Sequence, residues 1–239
     1  EYFDDMELAS ALQQLLSDAD PFVASNAVAV ILQHPHQLHF SSLIDSTVIA
    51  RLSVTMEKAG EWGQLNIFSL WLRFAGKASE EQAMVLLRKS AAFLAHGNAA
   101  VAVAACRVIM ALLTRFPDCT AQYDRRVSTS LTSVLVGTET SKETQYVVLR
   151  MLIGAVQEMP SIQPPLSAVM VMPDDKSFVK RAKVELMSAM ADRQSLLSIL
   201  SELTEYAKDV DIWFAEFVVS EIGRLCSRFA GIDATLRRV

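Results

Sequence analysis

Apolar residues recur along most of the chain at the three- and four-residue spacing of an amphipathic α-helix. The clearest stripes are Leu8, Leu12, Leu15 and Leu16, and Val48, Leu52, Thr55 and Met56. The strict alternation of apolar and polar residues that is typical of strands is scarce. Eight glycines and seven prolines in 239 residues are few, and the prolines lie between the apolar stretches. The pattern predicts an all-α protein of long helices with short breaks.

Polar residues that can cap a helix precede several of these stripes. Ser, Asp and Asn side chains accept hydrogen bonds from the free amides of a first turn. The predicted helix starts are Asp20, Asp45, Ser79, Asn98 and Asp211. Glycine tolerates the left-handed conformation that often ends a helix, because it has no Cβ. The predicted helix ends are Gly60, Gly76, Gly97 and Gly231.

A spacing near 40 residues separates the first buried positions that we predict for similar helices along the chain. These positions are Val23, Trp62, Val101, Val147, Val179 and Phe214, with successive spacings of 39, 39, 46, 32 and 35 residues. A helix-pair repeat of roughly 40 residues is typical of HEAT and armadillo proteins. We therefore predict an α-α superhelix of about six helix pairs, with residues 1–239 as one continuous solenoid. Pro160, Pro164 and Pro165 predict a short or irregular helix between residues 161 and 172.

Composition and charge narrow the function classes. With 51% hydrophobic and 21% charged residues the chain can bury a substantial core. Residues 1–60 carry eight Asp and Glu against Arg51 and Lys58, and the whole chain has a net charge of −5. No basic field is present that would collect nucleic acid. Three cysteines and the absence of an N-glycosylation sequon favour the cytoplasm.

No part of the sequence predicts a membrane span or a signal peptide. The most apolar run, residues 99–113, is interrupted by Arg107 and is shorter than the roughly 20 residues that cross a bilayer. We expect it to be a buried helix. The chain opens at Glu1 without a basic or apolar leader. We expect it to be a fragment of a longer protein.

Motifs that carry catalysis or bind cofactors are missing from the sequence. It contains no Gly-rich phosphate loop, no His-Glu-x-x-His, no Cys-x-x-Cys and no Gly-x-Ser-x-Gly. His34, His36 and His39 cluster around Pro35, but nearby Cys or carboxylate ligands are lacking, so we interpret them as a solvated loop and predict no metal. An enzyme whose site is assembled from scattered residues is an alternative that no spacing supports.

Cysteines and tryptophans are interpreted as packing residues. Cys119 has no nearby His or basic helix terminus that would activate a nucleophile. Cys106 and Cys226 are predicted to lie in the core. Trp62, Trp71 and Trp213 occur in apolar helical stripes. Packing is a commoner role for such residues than recognition.

The most concentrated basic cluster is the candidate partner-binding site. Its members are Lys176, Lys180, Arg181 and Lys183. Residues three or four positions apart share a helix face, and such a face can meet an acidic partner or anionic lipid headgroups. The other interpretation is a solvated face whose charges pair with Asp174, Asp175 and Glu185.

Several ordered motifs resemble one family. They are Ser17-Asp-Ala-Asp-Pro-Phe-Val23, Glu61-Trp-Gly-Gln64, Gln145-Tyr-Val-Val-Leu-Arg150, Phe178-Val-Lys180, Leu203-Thr-Glu-Tyr-Ala-Lys-Asp-Val-Asp211 and Ile222-Gly-Arg224. Together they span nearly the whole chain. They resemble the β-adaptins, the β-type large subunits of heterotetrameric clathrin-adaptor complexes.

The resemblance implies a middle segment of the adaptin trunk. It implies a non-catalytic scaffold that binds the medium and small subunits and the other large chain of an adaptor complex. The implied role is vesicle coat assembly, intracellular protein transport and cargo sorting. The implied place is the cytoplasmic surface of Golgi, endosomal or plasma-membrane coated vesicles. Clathrin would be contacted through regions outside this sequence, so no residue here is assigned to it.

The chain departs from the family pattern at a few positions. Glu216 and Glu221 stand where β-adaptins commonly place basic residues, and Cys106-Arg107 replaces a more usual small-Lys pair. Ser79-Glu-Glu and Arg115-Phe-Pro117 favour the β subunit of the fourth adaptor complex, which does not rely on clathrin. The alternative to an adaptin is a generic HEAT-repeat scaffold, such as a transport receptor or a phosphatase scaffold. That class would share the repeat period but not the ordered motifs.

Overall fold

The computed structural model describes residues 5–34 and 44–230, which form twelve α-helices and no strand. The helices are α1 (Asp5–Leu16), α2 (Pro21–Gln33), α3 (Ser46–Lys58), α4 (Glu61–Ala75), α5 (Glu80–Ala91), α6 (Ala99–Arg115), α7 (Thr120–Val136), α8 (Lys142–Glu158), α9 (Leu166–Val169), α10 (Ser177–Met190), α11 (Leu196–Tyr206) and α12 (Ile212–Phe229). A 3₁₀ turn, Pro117–Cys119, separates α6 from α7. The predicted all-α class and the number of helix pairs are confirmed.

The predicted helix starts are confirmed. Asp20, Asp45, Ser79, Asn98 and Asp211 each accept a hydrogen bond from a backbone amide in the first turn of the helix that follows. At Ser79 the bond is reciprocal, because the side chain of Gln82 accepts from the Ser79 amide at 2.9 Å. These bonds satisfy amides that a helix leaves unpaired.

The prediction that Gly60, Gly76 and Gly97 adopt left-handed caps is wrong. Gly60 precedes α4 with φ −66° and Gly76 follows it with φ −65°, and no glycine in the described ranges has a positive φ. Gly231 lies outside the described residues. Close packing does require a glycine at Gly63, where a Cβ would lie 2.9 Å from the Cβ of Ser25. Helix α4 therefore packs directly on α2.

The first compact unit, Glu1–Ser130, has a row of three helices at its centre. Helix α4 packs between α2 and α6, while α1, α3 and α5 cover this row. Phe68 makes edge-to-face contacts with Trp71 and Phe93, at centroid distances of 5.7 and 5.5 Å. This cluster of aromatic rings anchors the core of the unit.

The second compact unit, Leu131–Val239, repeats the arrangement. Helix α10 packs between α8 and α12, and α9 and α11 pack against α10. Helix α9 has four residues, as the prolines around it predicted. Helix α7 crosses the boundary between the units. That residues 1–239 form one continuous solenoid stays a prediction.

The predicted register of buried positions is correct in half of the helices concerned. Val101, Val179 and Phe214 are fully buried, as expected. Val23 is partly exposed. Trp62 and Val147 are exposed, so their predicted burial is wrong. At Val147 the error is one residue, because the buried stripe of α8 runs through Val148, Leu149 and Leu152.

Candidate partner-binding surface

Lys183 does not share an exposed face with the other cations of the predicted cluster. Its side chain is 6% exposed and its Nζ lies 2.5 Å from Oδ2 of Asp175. The same ammonium donates to the carbonyl of Met170 at 3.0 Å. A buried charge must be paired and hydrogen-bonded. Lys183 therefore ties the segment before α10 to the helix, and the prediction that it lies on the exposed face is wrong.

Asp175 is the centre of this buried network. Its Oδ1 accepts from Nζ of Lys142, the first residue of α8, at 2.9 Å, and the amide of Met172 donates to its Oδ2 at 2.8 Å. Burial alone would raise the pKa of Asp175, but the hydrogen bonds from Lys183, Met172 and Lys142 outweigh burial and lower it. Bonds to the carboxylate also raise the pKa of Lys142. The network is a structural clamp between α8 and α10.

Lys180 is held by a partly buried ion pair. Its Nζ lies 2.7 Å from Oδ2 of Asp209, in the segment before α12, and 5.2 Å from the ring centroid of Phe214. The hydrogen bond from Lys180 lowers the pKa of Asp209. Much of the charge of Lys180 is therefore neutralised within the second unit.

Lys176 and Arg181 are the exposed members of the cluster. Lys176 pairs with Glu143 at 3.1 Å, and both side chains are more than half exposed. Nη2 of Arg181 donates to the carbonyl of Trp213 at 3.2 Å, and its guanidinium lies over the ring of Phe217. Exposed pairs of this kind are weak and can be exchanged for partner contacts at little cost.

Exposed apolar side chains adjoin these cations, a feature that sequence reasoning missed. Tyr146 and Phe178 make an edge-to-face contact at 5.4 Å, and Lys176 lies over the Phe178 ring. Trp213 is 74% exposed, and its neighbour Ile212 is also exposed. Lys176, Lys180, Arg181, Tyr146, Phe178, Ile212 and Trp213 are called the basic–aromatic edge below. Exposed aromatic and Arg side chains are typical of interfaces.

The interpretation of Trp213 and Trp62 as packing residues is wrong, and a closer reading of the helical phase would have shown it. The buried stripe of α12 includes Phe214, Val218 and Leu225, and Trp213 precedes it by one residue. Trp62 lies nine residues before the buried Trp71, which is a rotation of about 900°, or half a turn away from Trp71's face. The hydrophobic character of Trp62 and Trp213 did not by itself show that their side chains are exposed.

Other candidate chemical groups do not form a site in the described part of the chain. Burial raises the pKa of the Cys106 thiol to about 11, so at neutral pH it is not a thiolate nucleophile. Cys226 is partly exposed, and the side chain of Cys119 lies outside the described residues. No group of three or more His, Cys, Asp or Glu suited to a metal occurs among the described residues. His36 and His39 fall outside them.

No helix in the ranges that the structure describes is both long enough and apolar enough to span a membrane.

Comparison with known proteins gives one family match. The family model described as adaptin N terminal region matches residues 1–236. Among curated relatives, the chain is 29% identical to the AP-1 complex subunit beta-1 of Mus musculus over 92% of its length. It is 27% identical to the AP-2 complex subunit beta of Schizosaccharomyces pombe over 91% of its length. The chain spans 24% and 32% of the length of these relatives.

A solved structure with the same fold is a designed armadillo repeat protein. It matches with a TM-score of 0.60 at 14% identity, covering 90% of this chain and 98% of the designed protein. At this identity the likeness concerns the fold alone. The predicted armadillo-like fold class is therefore confirmed.

Proposed function

Since the chain belongs to the adaptin family, we propose that it is a non-catalytic scaffold subunit of a heterotetrameric adaptor complex. Its role would be vesicle coat assembly, intracellular protein transport and cargo sorting. The observation that carries the proposal is the family match along almost the entire chain. The named relatives are β subunits of adaptor complexes, which supports a β-type role.

The proposed partners are the medium and small subunits and the other large chain of the same complex. The basic–aromatic edge supports a protein contact, because it combines exposed Trp213 and Phe178 with the exchangeable cations Lys176 and Arg181. Aromatic residues give the contact its apolar area, and the cations select an acidic surface. Lys183 is not part of this contact, since it is buried in the clamp with Asp175.

The proposed place of action is the cytoplasmic face of coated vesicles of the Golgi, endosomes or plasma membrane. The chain would reach the membrane as part of the complex. The relatives include β subunits of both AP-1 and AP-2 complexes, so the test compares the subunits of each complex. Two sequence features, Ser79-Glu-Glu and Arg115-Phe-Pro117, favour the β subunit of the fourth complex. The proposal therefore includes a coat that does not use clathrin.

Co-expression tests the proposal. We would express the chain with the three other subunits of each adaptor complex of its organism and measure co-purification. We expect stable association with one set of subunits. We also expect the double reversal Lys176→Glu and Arg181→Glu to reduce association and its dependence on salt, since a charge-steered contact weakens as ionic strength rises.

Arg193→Glu is the matched control for the reversal. Arg193 is an exposed residue of the same unit in the loop after α10, and its reversal should leave association unchanged. Failure of the wild-type chain to associate with any set would overturn the proposed function. Association that survives the double reversal at both low and high salt would show that the edge is a solvated face.

A further inference from the structure

A small groove lies between the first turns of α2 and α4 in the first unit. Its volume is about 350 Å³, which is near the lower end of the roughly 300–1,000 Å³ typical of ligand sites. Phe22 and Trp62 line the groove, and their side chains are 73% and 83% exposed. Three small residues, Ala59, Gly60 and Gly63, also line it. We call this feature the aromatic groove. Its size suits a few side chains of a peptide.

Neither aromatic ring contributes to the core. Trp62 points away from the face of α4 that carries Trp71, and Phe22 lies outside the buried stripe of α2, which includes Ala24, Val28 and Ile31. Large apolar side chains exposed next to each other at a concave site are characteristic of interaction surfaces. Trp is also among the residues that most often dominate binding energy. The pair is therefore placed for recognition.

Charge determines which ligand the groove favours. The groove is lined by two carboxylates, Asp20 and Glu61, and by one cation, Lys58. Residues 1–60, which precede Glu61, carry eight acidic and two basic residues. Oδ1 of Asp20 accepts from the Phe22 amide, and Oε2 of Glu61 accepts from Asn98 at 2.6 Å. A carboxylate has about four acceptor sites, so both can accept further donors. An anionic lipid headgroup would be repelled.

We propose that the aromatic groove binds an extended segment of a partner protein that carries an arginine. The guanidinium stacks on Trp62 and pairs with Glu61 or Asp20, and an apolar neighbour in the segment packs on Phe22. Arginine fits this site better than lysine, because its planar group stacks on an indole while its N–H groups reach a carboxylate. The inference concerns the first unit and does not depend on the proposed adaptor role.

Fluorescence anisotropy with the 239-residue chain tests the proposal. The probes are fluorescein-labelled decapeptides of proline and leucine with one central arginine, and the same peptides with glutamate in its place. We expect the arginine peptides to bind more tightly than the glutamate peptides. Trp62→Ala should weaken arginine-peptide binding by at least about tenfold. Trp62→Phe should restore part of it, because a smaller aromatic face remains.

Leu197→Ala is the control, since Leu197 is an exposed apolar residue of α11 outside both surfaces. It should bind the arginine peptides like the wild type, and circular dichroism should show that every variant melts as the wild type does. Equal arginine-peptide affinity for Trp62→Ala and wild type would overturn the proposal. It would also fail if Trp62→Ala instead abolished binding to phosphatidylserine vesicles or self-association in sedimentation, which would identify a lipid or a second copy as the occupant.

Discussion

Trp71 and Trp62 belong to the same helix and lie on opposite sides of it. Trp71 is fully buried and contacts Phe68 edge to face, whereas Trp62 is mostly exposed at the rim of the aromatic groove. The two residues have the same side-chain chemistry. Their contributions to stability should differ, because a cavity forms where the removed ring was surrounded by protein and not where it faced water.

Trp71→Ala should reduce the free energy of unfolding by about 3–5 kcal/mol, since it removes a large side chain from the core. Trp62→Ala should change it by less than about 0.5 kcal/mol, as is usual for surface positions. Urea unfolding followed by circular dichroism measures both. A comparable loss in the two variants would mean that Trp62 packs in the core after all.

Helix starts could be predicted from the sequence, while the contacts that hold helix ends could not. Asp20, Asn98 and Asp211 cap amides two or three residues away, so the signal is local. Several helix ends are instead held by arginines about 40 residues further along. Arg73 donates to the carbonyl of Leu32, and Arg115 to that of Gly76. Which carbonyl an arginine reaches depends on how neighbouring repeats pack. The spacing of residues along the sequence does not show this packing.

Arginines at the ends of the central helices form a repeated device. Arg73 in α4 reaches the end of α2, Arg115 in α6 reaches the end of α4, and in the second unit Arg228 in α12 donates to Ser188 and Ala191 at the end of α10. The last carbonyls of a helix lack intrahelical partners and carry partial negative charge. Each arginine therefore satisfies the end of the neighbouring helix.

Arg115→Met should destabilise the first unit by about 1 kcal/mol, because the helix end loses a charged donor while the variant keeps much of the apolar stem. Arg107→Met is the matched control in the same helix, since Arg107 is exposed and faces away from the buried stripe. Urea unfolding of Arg115→Met and Arg107→Met measures the difference as a difference between their midpoints. Indistinguishable midpoints would show that the carbonyls of α4 are equally well satisfied by water.

At the scale of the molecule, the family and the fold class could be predicted, while the exposure of the basic cluster was predicted only in part. Ordered motifs indicated the β-adaptins, and the family match and the relatives confirm that resemblance. The basic cluster was found by its spacing, but spacing did not reveal that Lys183 turns into the protein toward Asp175. Burial of a lysine depends on a carboxylate brought by another segment, so helical periodicity alone could not predict it.

Electrostatics gives the whole molecule a defined response to acid. Several carboxyl groups have a pKa below their ordinary values of 3.8 or 4.5, because hydrogen bonds favour their charged forms in the folded state: Asp45, Glu57, Glu143, Asp174, Asp175, Asp192 and Asp209. The unfolded chain therefore binds more protons in acid. Stability from these groups is present above their unfolded pKa values and is lost as the pH falls through the folded values.

Asp175→Asn tests the part of this response that comes from the clamp. At pH 7 the variant should lose about 3–5 kcal/mol of unfolding free energy, because Lys183 keeps its charge in a buried site without a counter-ion. The difference from the wild type should begin to shrink below 3.8, the ordinary pKa of Asp, because the unfolded chain then binds a proton at this carboxyl. It should disappear only as the pH falls through the lower pKa of Asp175 in the folded protein. Asp174→Asn is the control, since the side chain of Asp174 is 74% exposed, whereas that of Asp175 is 1% exposed. Urea midpoints from pH 7 down to about pH 2, well below the ordinary pKa of Asp, would measure both variants. If Asp174→Asn and Asp175→Asn were equally stable at pH 7, the contacts of Lys183 and Lys142 with Asp175 would not hold the second unit together.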